Sequence, residues 1–327
     1  MNIIETRNLT KYYHKKIKGI ENLNLSVGEG EMYGFIGPNG AGKSTTIRTL
    51  LGLIRADAGT AQLFGMEVGR DRMKILAKIG YMPSEVSFYG GMRVKEILKL
   101  SAALRRKDCT AEAKKLCERL QLDPEKRVEE LSLGNRKKTS IICALQHKPQ
   151  LYIFDEPTSG LDPLIQKEFF SILRERKEEG ATIFLSSHVL SEIQRHCSRA
   201  AIIRDGSIIA EGKIEELVST RARRVTVHGL SGAESMPAKT DGGSLDKEVS
   251  EKRNSLPVAE RMFAKLEGVR DIRYAHDSVT FLYQGEMRAL LAQLLELSIT
   301  DLTVTEPDLE EIFLHYYETL PRKAKGC

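Results

Sequence analysis

A glycine-rich loop set between an apolar strand and a helix constrains the fold of this chain more than any other segment. Residues 31–54 read EMYGFIGPNGAGKSTTIRTLLGLI and pass from apolar residues through glycine, proline and asparagine into a helical pattern. The helix is predicted from apolar residues that recur at helical spacing on one face, namely Ile47, Leu50, Leu51 and Ile54. Strands and helices alternate after this segment, which predicts an α/β fold.

The loop matches the phosphate-binding pattern G-x-x-x-x-G-K-[ST] through Gly37, Gly42, Lys43 and Ser44. Glycines let backbone N–H groups turn inward around a phosphate, and the amino terminus of the following helix adds positive potential. Lys43 supplies a point charge to the outer phosphates, and the Ser44 hydroxyl is a hard oxygen ligand for Mg²⁺. The residues predicted to hold a nucleotide here are Asn39, Gly40, Gly42, Lys43, Ser44 and Thr45. The alternative is a tight glycine turn without a ligand.

An acidic pair ends a second apolar segment, LYIFDEP, residues 151–157. Four apolar residues before the pair and a proline after it indicate a buried parallel strand. Asp155, at the strand end, is predicted to hold Mg²⁺ through water, and Glu156 is placed to polarise an attacking water as a general base. The alternative is an ordinary strand end, which an Asp-Glu pair before proline also fits.

A histidine follows the next apolar segment along the chain. His188 ends ATIFLSSH, residues 181–188. Because α/β sheets bind their ligands at the carboxyl ends of the strands, we predict that His188 contacts the γ-phosphate. A lone histidine with a purely structural role is the alternative.

The segment LSLGN, residues 131–135, precedes a helix predicted from about Arg136 through Leu145. A serine hydroxyl and free N–H groups at a helix amino terminus form an anion site, but the same residues also fit an ordinary helix cap. The basic run Arg136 to Lys138 is interpreted as a solvated helix face.

The order of these motifs, completed by SGLDP at residues 159–163, resembles that of the ATP-binding cassette (ABC) ATPases over residues 1–218. The resemblance implies a P-loop fold with a mixed sheet and a helical subdomain, which uses ATP and Mg²⁺. It also implies a dimer in which LSLGN, the signature segment, faces nucleotide held by the other chain. Ser132 and Gly134 are then the phosphate-contacting groups. Leu133 and Asn135 depart from the Leu-Ser-Gly-Gly-Gln pattern of the family.

The resemblance implies three further roles. Tyr13 stacks on adenine, with Tyr12 as the competing choice. Ser84 stands where the family has a glutamine that senses Mg²⁺ and the membrane partner, and Glu85 is an alternative for that role. Asp162 is expected to act across the dimer. The residues expected to bind or sense Mg²⁺ are therefore Ser44, Asp155 and Ser84.

The composition of the chain changes near residue 220. We predict a nucleotide-binding domain over residues 1–218 and a small α+β domain over 219–327, with a flexible insert at 231–256 rich in Gly, Ser, Lys, Asp and Glu. Strands are predicted around RRVTVHGL, SVTFLY and DLTVTE, and helices around VAERMFAKL, MRALLAQLLEL and PDLEEIFLHYYETL. This second domain resembles that of bacterial ATPase subunits that drive efflux of drugs, antibiotics or lipids.

Bulk properties limit the partners of the chain. Fifty Lys and Arg against forty-five Asp and Glu leave a formal charge of +5, too small to predict nucleic-acid binding. No run approaches eighteen apolar residues, and the five cysteines lack zinc-site spacing. We expect a cytoplasmic protein, peripheral on the inner face of the cell membrane.

The resemblance implies two protein partners, a second ATPase subunit and a separate integral membrane permease. The permease is expected to dock at residues 87–98. The alternatives are a non-transport ATPase that acts on ribosomes or DNA and a catalytically idle regulatory partner.

Overall fold

The computed structural model describes residues 1–14, 17–218, 223–229, 268–275, 278–295 and 299–305. These residues divide into two compact units after Ile214. The predicted insert at 231–256 and the predicted helices around VAERMFAKL and PDLEEIFLHYYETL lie outside the described residues.

The described part of the first unit contains ten strands and seven helices. The strands are β1 (Asn2–Tyr13), β2 (Ile17–Gly28), β3 (Met32–Ile36), β4 (Ala58–Leu63), β5 (Met66–Glu67), β6 (Ile79–Met82), β7 (Leu151–Asp155), β8 (Thr182–Ser187), β9 (Arg199–Arg204) and β10 (Ser207–Lys213). The helices are α1 (Lys43–Leu50), α2 (Val68–Leu76), α3 (Val94–Leu104), α4 (Thr110–Arg119), α5 (Leu133–Leu145), α6 (Pro163–Glu178) and α7 (Leu190–His196). A 3-10 helix covers Val128–Glu130, and α8 (Ile214–Val218) begins at the division between the units.

The six-stranded sheet carries the predicted motifs. Its order is β10-β9-β3-β8-β7-β6, with β9 to β6 parallel and β10 antiparallel at one edge. Every residue of β3, β7 and β8 is buried, as expected for strands covered on both faces. The mixed α/β sheet that the sequence predicts is confirmed.

A second, antiparallel sheet of order β2-β1-β4-β5 packs onto the first through a shared apolar core. Leu23 and Leu63 from this sheet and Phe35 and Phe184 from the larger one are fully buried in that core. Helix α1 adds Ile47 and Leu50, so the helix that follows the glycine loop is anchored by its apolar stripe.

The helical part lies between β6 and β7 in the chain. It contains two helices, α3 and α4, that residues 105–109 separate. Helix α5 contacts α3, α4 and β6, so it joins the helical part to the sheet. It begins at Leu133, three residues earlier than predicted.

Beyond α8, the described residues of the second unit form a four-stranded antiparallel sheet and one helix. The strands are β11 (Arg223–His228), β12 (Val269–Ala275), β13 (Ser278–Tyr283) and β14 (Asp301–Thr305), and the helix is α9 (Met287–Leu294). The sheet order is β12-β13-β11-β14. Val225, Phe281 and Leu290 lie in its separate core. Strand β12 is absent from our sequence prediction, since its charged residues and irregular register hide the alternation of an edge strand.

Candidate nucleotide site

Neighbouring parallel strands bring the predicted chemical groups to one edge of the larger sheet. Strand β8 lies between β3 and β7, and the pairs Ile36↔Ser187 and Asp155↔Ser186 align their carboxyl ends. The glycine loop, the acidic pair and His188 therefore leave the sheet side by side. This edge is where open α/β sheets bind ligands.

The backbone of the glycine loop needs glycine at two positions for different reasons. Gly42 precedes α1 with φ 111°, and a Cβ there would lie 2.8 Å from the carbonyl oxygen of Gly19. Gly37 has an ordinary φ, but a Cβ there would lie 2.6 Å from the carbonyl oxygen of Ile203. The loop is therefore both turned and packed closely at its base, and each feature requires glycine.

Lys43 is buried and makes three contacts within this edge. Its Nζ donates to the carbonyl oxygens of Gly37 at 2.6 Å and Pro38 at 3.1 Å, and it lies 3.0 Å from Glu156 Oε1. The side chain is 5% exposed, so its charge is only weakly screened by water. A nucleotide phosphate at the loop would compete with Glu156 for this charge.

Asp155 fits a metal site on one observation. Its side chain is 1% exposed, and Oδ1 accepts a hydrogen bond from Ser186 Oγ at 2.6 Å. Oδ2 is buried and meets no hydrogen-bond donor among the described residues. A buried carboxylate oxygen without a partner is costly, and a hydrated divalent cation would satisfy it.

The two serines predicted to contact the metal are both half-buried. Ser44 lies in α1. Ser84 lies two residues beyond β6, the strand that pairs with β7.

Glu156 has Lys43 on one carboxylate oxygen and His188 on the other. His188 Nδ1 lies 3.1 Å from Oε2, with the imidazole half exposed. Burial by itself raises the pKa of Glu156, but the hydrogen bond and charge of Lys43, helped by His188, outweigh burial and lower it. Glu156 is therefore ionised in this arrangement, as a general base requires.

Tyr13 rather than Tyr12 lies at the glycine loop. Its hydroxyl is 3.1 Å from Thr45 Oγ1 in α1, and its ring is 40% exposed. Tyr12 instead donates to Glu21 Oε1 at 2.6 Å. An exposed ring beside the loop is the one available for stacking on a base, so the geometry favours Tyr13.

The signature segment forms the amino terminus of α5. Ser132 is the N-cap residue, and its Oγ accepts from Asn135 N–H at 3.3 Å. Leu133 is the first helical residue and is exposed, so a side chain is tolerated where the family has glycine. Gly134 is closely packed, since a Cβ there would lie 2.8 Å from the carbonyl oxygen of Gly160.

Asp162 caps a helix within its own chain. Its Oδ1 accepts from Ile165 N–H at 3.0 Å at the start of α6. Within the part of the chain that the structure describes, no hydrogen bond or ion pair joins Asp162, Ser132 or Gly134 to the glycine loop. The structure thus brings together Lys43, Asp155, Glu156, His188 and Tyr13, and it places the other three elsewhere on the first unit.

Our interpretation of Arg136 to Lys138 as a solvated helix face is wrong. Lys137 and Lys138 are buried, and Lys137 Nζ donates to the carbonyl oxygen of Glu156 at 2.9 Å. Helical spacing offered a signal, because Lys137, Ile141 and Leu145 share one face and both apolar residues are fully buried. We assigned the run to solvent because of its charge and overlooked that Lys137 lies on this apolar face.

Comparisons with known proteins identify the family of this chain. A family described as "ABC transporter" matches residues 20–159. The bacitracin transport ATP-binding protein BcrA of Bacillus licheniformis is 32% identical over 321 residues, covering 95% of this chain and 96% of the relative. The linearmycin resistance ATP-binding protein LnrL of Bacillus subtilis is 30% identical, covering 96% and 97%.

Solved structures extend the likeness to the fold. The structure of an ATP-binding subunit of an ABC transporter is 30% identical with a TM-score of 0.61, covering 66% of this chain and 91% of that one. A dimeric ATP-binding cassette in a post-hydrolysis state with ADP and phosphate has a TM-score of 0.60 at 23% identity, covering 64% and 98%. None of the helices in the described residues is long and apolar enough to cross a membrane.

Proposed function

This chain belongs to the ABC transporter ATP-binding proteins, and on that basis we propose that it hydrolyses ATP to drive a separate membrane permease that exports its substrate. Two relatives named for bacitracin transport and linearmycin resistance match nearly the whole chain, including residues beyond the first unit. We propose an antibiotic-like or lipid-like amphiphile as the class of exported molecule. The motor holds nucleotide, so the permease would hold that molecule.

The observation that carries the catalytic assignment is the position of Glu156. Its carboxylate lies between Lys43 and His188. Glu156 directly follows Asp155 at the sheet edge where the glycine loop begins. We assign Glu156 as the general base for the attacking water and Lys43 as the counter-ion of the outer phosphates. His188 would orient the Glu156 carboxylate and the terminal phosphate.

Nucleotide binding is expected to change the basicity of Glu156. In the structure Lys43 lowers the pKa of Glu156, whereas burial raises it. When Lys43 turns to a phosphate, that lowering weakens and the burial remains.

Asp155, Ser44 and Ser84 are the residues proposed to hold Mg²⁺. The unpartnered Asp155 Oδ2 supports this assignment, and the hydroxyls add the hard oxygen ligands that the ion prefers. When bound, the ion would neutralise charge on the phosphates. Glu85, which is exposed next to Ser84, remains the alternative for sensing the ion.

We propose that two chains close on two nucleotides, with Ser132 and Gly134 of one chain contacting nucleotide in the other. The N-cap position of Ser132 supports this role, because the first N–H groups of α5 can bind an anion. Asp162 would act in the same interface. The permease is proposed to dock at residues 87–98, where the loop before α3 exposes Tyr89.

The test of the general base is Glu156→Gln. The amide keeps the size of the side chain but cannot take a proton, so we expect MgATP to bind while turnover falls at least about a hundredfold. Bound ATP should then hold a dimer that gel filtration detects. Glu178→Gln, at the exposed end of α6, is the matched control. Normal turnover of Glu156→Gln would remove Glu156 from the mechanism, and an inactive wild type would favour an idle regulatory partner.

A further inference from the structure

Lys137 is a buried lysine of α5 whose ammonium contacts the backbone of the acidic strand end. Its side chain is 4% exposed, and Nζ lies 2.9 Å from the carbonyl oxygen of Glu156. A buried ammonium is usually paired with a negative group, because leaving water is costly for a charge. Here the hydrogen-bond acceptor is a neutral carbonyl. Burial lowers the pKa of Lys137, and the nearby charges of Glu156 and Asp155 oppose that effect.

The backbone that Lys137 contacts has an unusual conformation. Glu156 has φ 50°, in the left-handed region that residues with a side chain rarely adopt. Such a residue persists only where its surroundings hold it. The Glu156 N–H donates to Ser186 O and Oγ, both at 3.2 Å, and the Glu156 carbonyl accepts from Lys137. The two sides of the peptide backbone are therefore held by different elements, β8 and α5.

This conformation determines where the Glu156 carboxylate points. A left-handed residue directs its side chain differently from the strand residue before it, and at Glu156 that direction leads to Lys43 and His188. If Lys137 no longer held the carbonyl, Glu156 could relax toward an extended conformation. The carboxylate would then leave the position from which it meets a water at the terminal phosphate.

We propose that Lys137 is a positioning residue for ATP hydrolysis, which holds the Glu156 carbonyl and thereby aims the carboxylate at the attacking water. This inference rests on the function proposed above for Glu156. Lys137 acts through Glu156 and not on the reacting atoms. Since Ser132 and Lys137 belong to the same helix, α5 connects the signature segment of a chain to the catalytic glutamate of that same chain.

The test compares Lys137→Met with Lys137→Gln in the full chain. The two side chains have the same length, and only glutamine keeps a hydrogen-bond donor. We expect Lys137→Met to lower kcat at least about tenfold while KM for ATP changes less than about twofold. Lys137→Gln should recover at least about threefold of that loss. Affinity for a fluorescent ATP analogue should be unchanged in both variants.

Lys138→Met is the matched control, since Lys138 is also buried in α5 but makes no hydrogen bond or ion pair within the described residues. We expect its kcat to stay within about threefold of wild type. Equal kcat for Lys137→Met and Lys137→Gln would overturn the inference, and so would wild-type kcat in Lys137→Met. If Lys137→Met does not fold, Lys137→Ala and Lys137→Leu replace it. Wild-type kcat in either of these variants, at wild-type thermal stability, would overturn the inference equally. Glu156→Gln separates the two proposals, because its normal turnover would overturn the function assigned to Glu156 itself.

Discussion

At the scale of single residues, Glu156 combines strain with charge. A left-handed φ on a residue with a side chain costs about 1–2 kcal/mol, and here the cost is offset by hydrogen bonds to Ser186 and Lys137. Its carboxylate, in turn, is shared between Lys43 and His188. A residue held from four directions loses little freedom when a reaction begins, which is the physical basis of preorganised catalysis.

His147 provides a pH-dependent prediction at this scale. It is buried directly after α5, with Nε2 3.2 Å from Ile79 O, and burial, helped by Arg105, lowers its pKa to about 4. Because the pKa in the unfolded chain is about 6.5, the unfolded state binds the proton first as the pH falls. Stability that is fully present above pH 6.5 is then lost, by up to about 2 kcal/mol at pH 5.

The measurement is urea unfolding at pH 8 and pH 5 for the wild type and His147→Gln. Glutamine does not titrate, so we expect the variant to lose less stability between the two pH values. His14→Gln, at an exposed position, should keep the wild-type dependence on pH. A variant at position 147 that loses as much as the wild type would show that other groups cause the acid sensitivity.

At the scale of elements, the two roles proposed for Ser132 and Lys137 meet in the first two turns of α5. Ser132 caps its exposed amino terminus, while Lys137 points into the protein toward Glu156. A helix is stiff over this distance, so the position of the signature segment and that of the Glu156 backbone are linked. Helix capping alone would explain Ser132 but would not explain a buried lysine one and a half turns later.

A mixing experiment separates the cap from a signature that acts on the other chain. Chains carrying Ser132→Arg and Lys43→Ala, each inactive alone, are combined into mixed dimers. One site then has an intact glycine loop from the first chain and an intact signature from the second, so we expect vanadate to trap nucleotide there. The control mixes Lys43→Ala chains with chains that carry both Ser132→Arg and Lys43→Ala. Neither site of that mixed dimer has an intact glycine loop, so no trapping is expected. Proven mixed dimers that trap no more nucleotide than their parents would limit Ser132 to its own chain.

At the scale of the whole molecule, the described residues form two units with separate cores. The nucleotide motifs all lie in the first, and the second has its own antiparallel sheet covered by α9. A unit with its own core can fold alone in principle. The predicted domain boundary lies after residue 218, whereas the structure divides after Ile214. The segment between these two positions belongs to α8.

Truncation after Val218 tests this organisation. We expect residues 1–218 to remain soluble and folded and to bind MgATP within about threefold of the full chain, because every nucleotide contact proposed above lies before the cut. Circular dichroism and binding of a fluorescent ATP analogue provide the measurements, with Lys43→Ala in the truncated chain as the non-binding control. A folded truncated chain that does not bind ATP would place part of the site in the second unit.

The glycine loop, the acidic strand end and the parallel strands could be predicted from the sequence, since each depends on short-range pattern. Glycine spacing and runs of apolar residues indicate the local backbone conformation directly. The sequence could not decide between Tyr12 and Tyr13, nor reveal β12, whose pairing with β13 depends on a partner strand.

The contact between Lys137 and Glu156 depends on the folded chain. The two residues are nineteen positions apart and belong to a helix and a strand end, so their contact depends on how α5 packs against the sheet. A lysine in a basic run is usually exposed to solvent. It can be buried only where the folded chain supplies a hydrogen-bond acceptor for its ammonium. The same holds for Lys43, whose charge the sequence assigns to phosphate and the folded chain shares with Glu156.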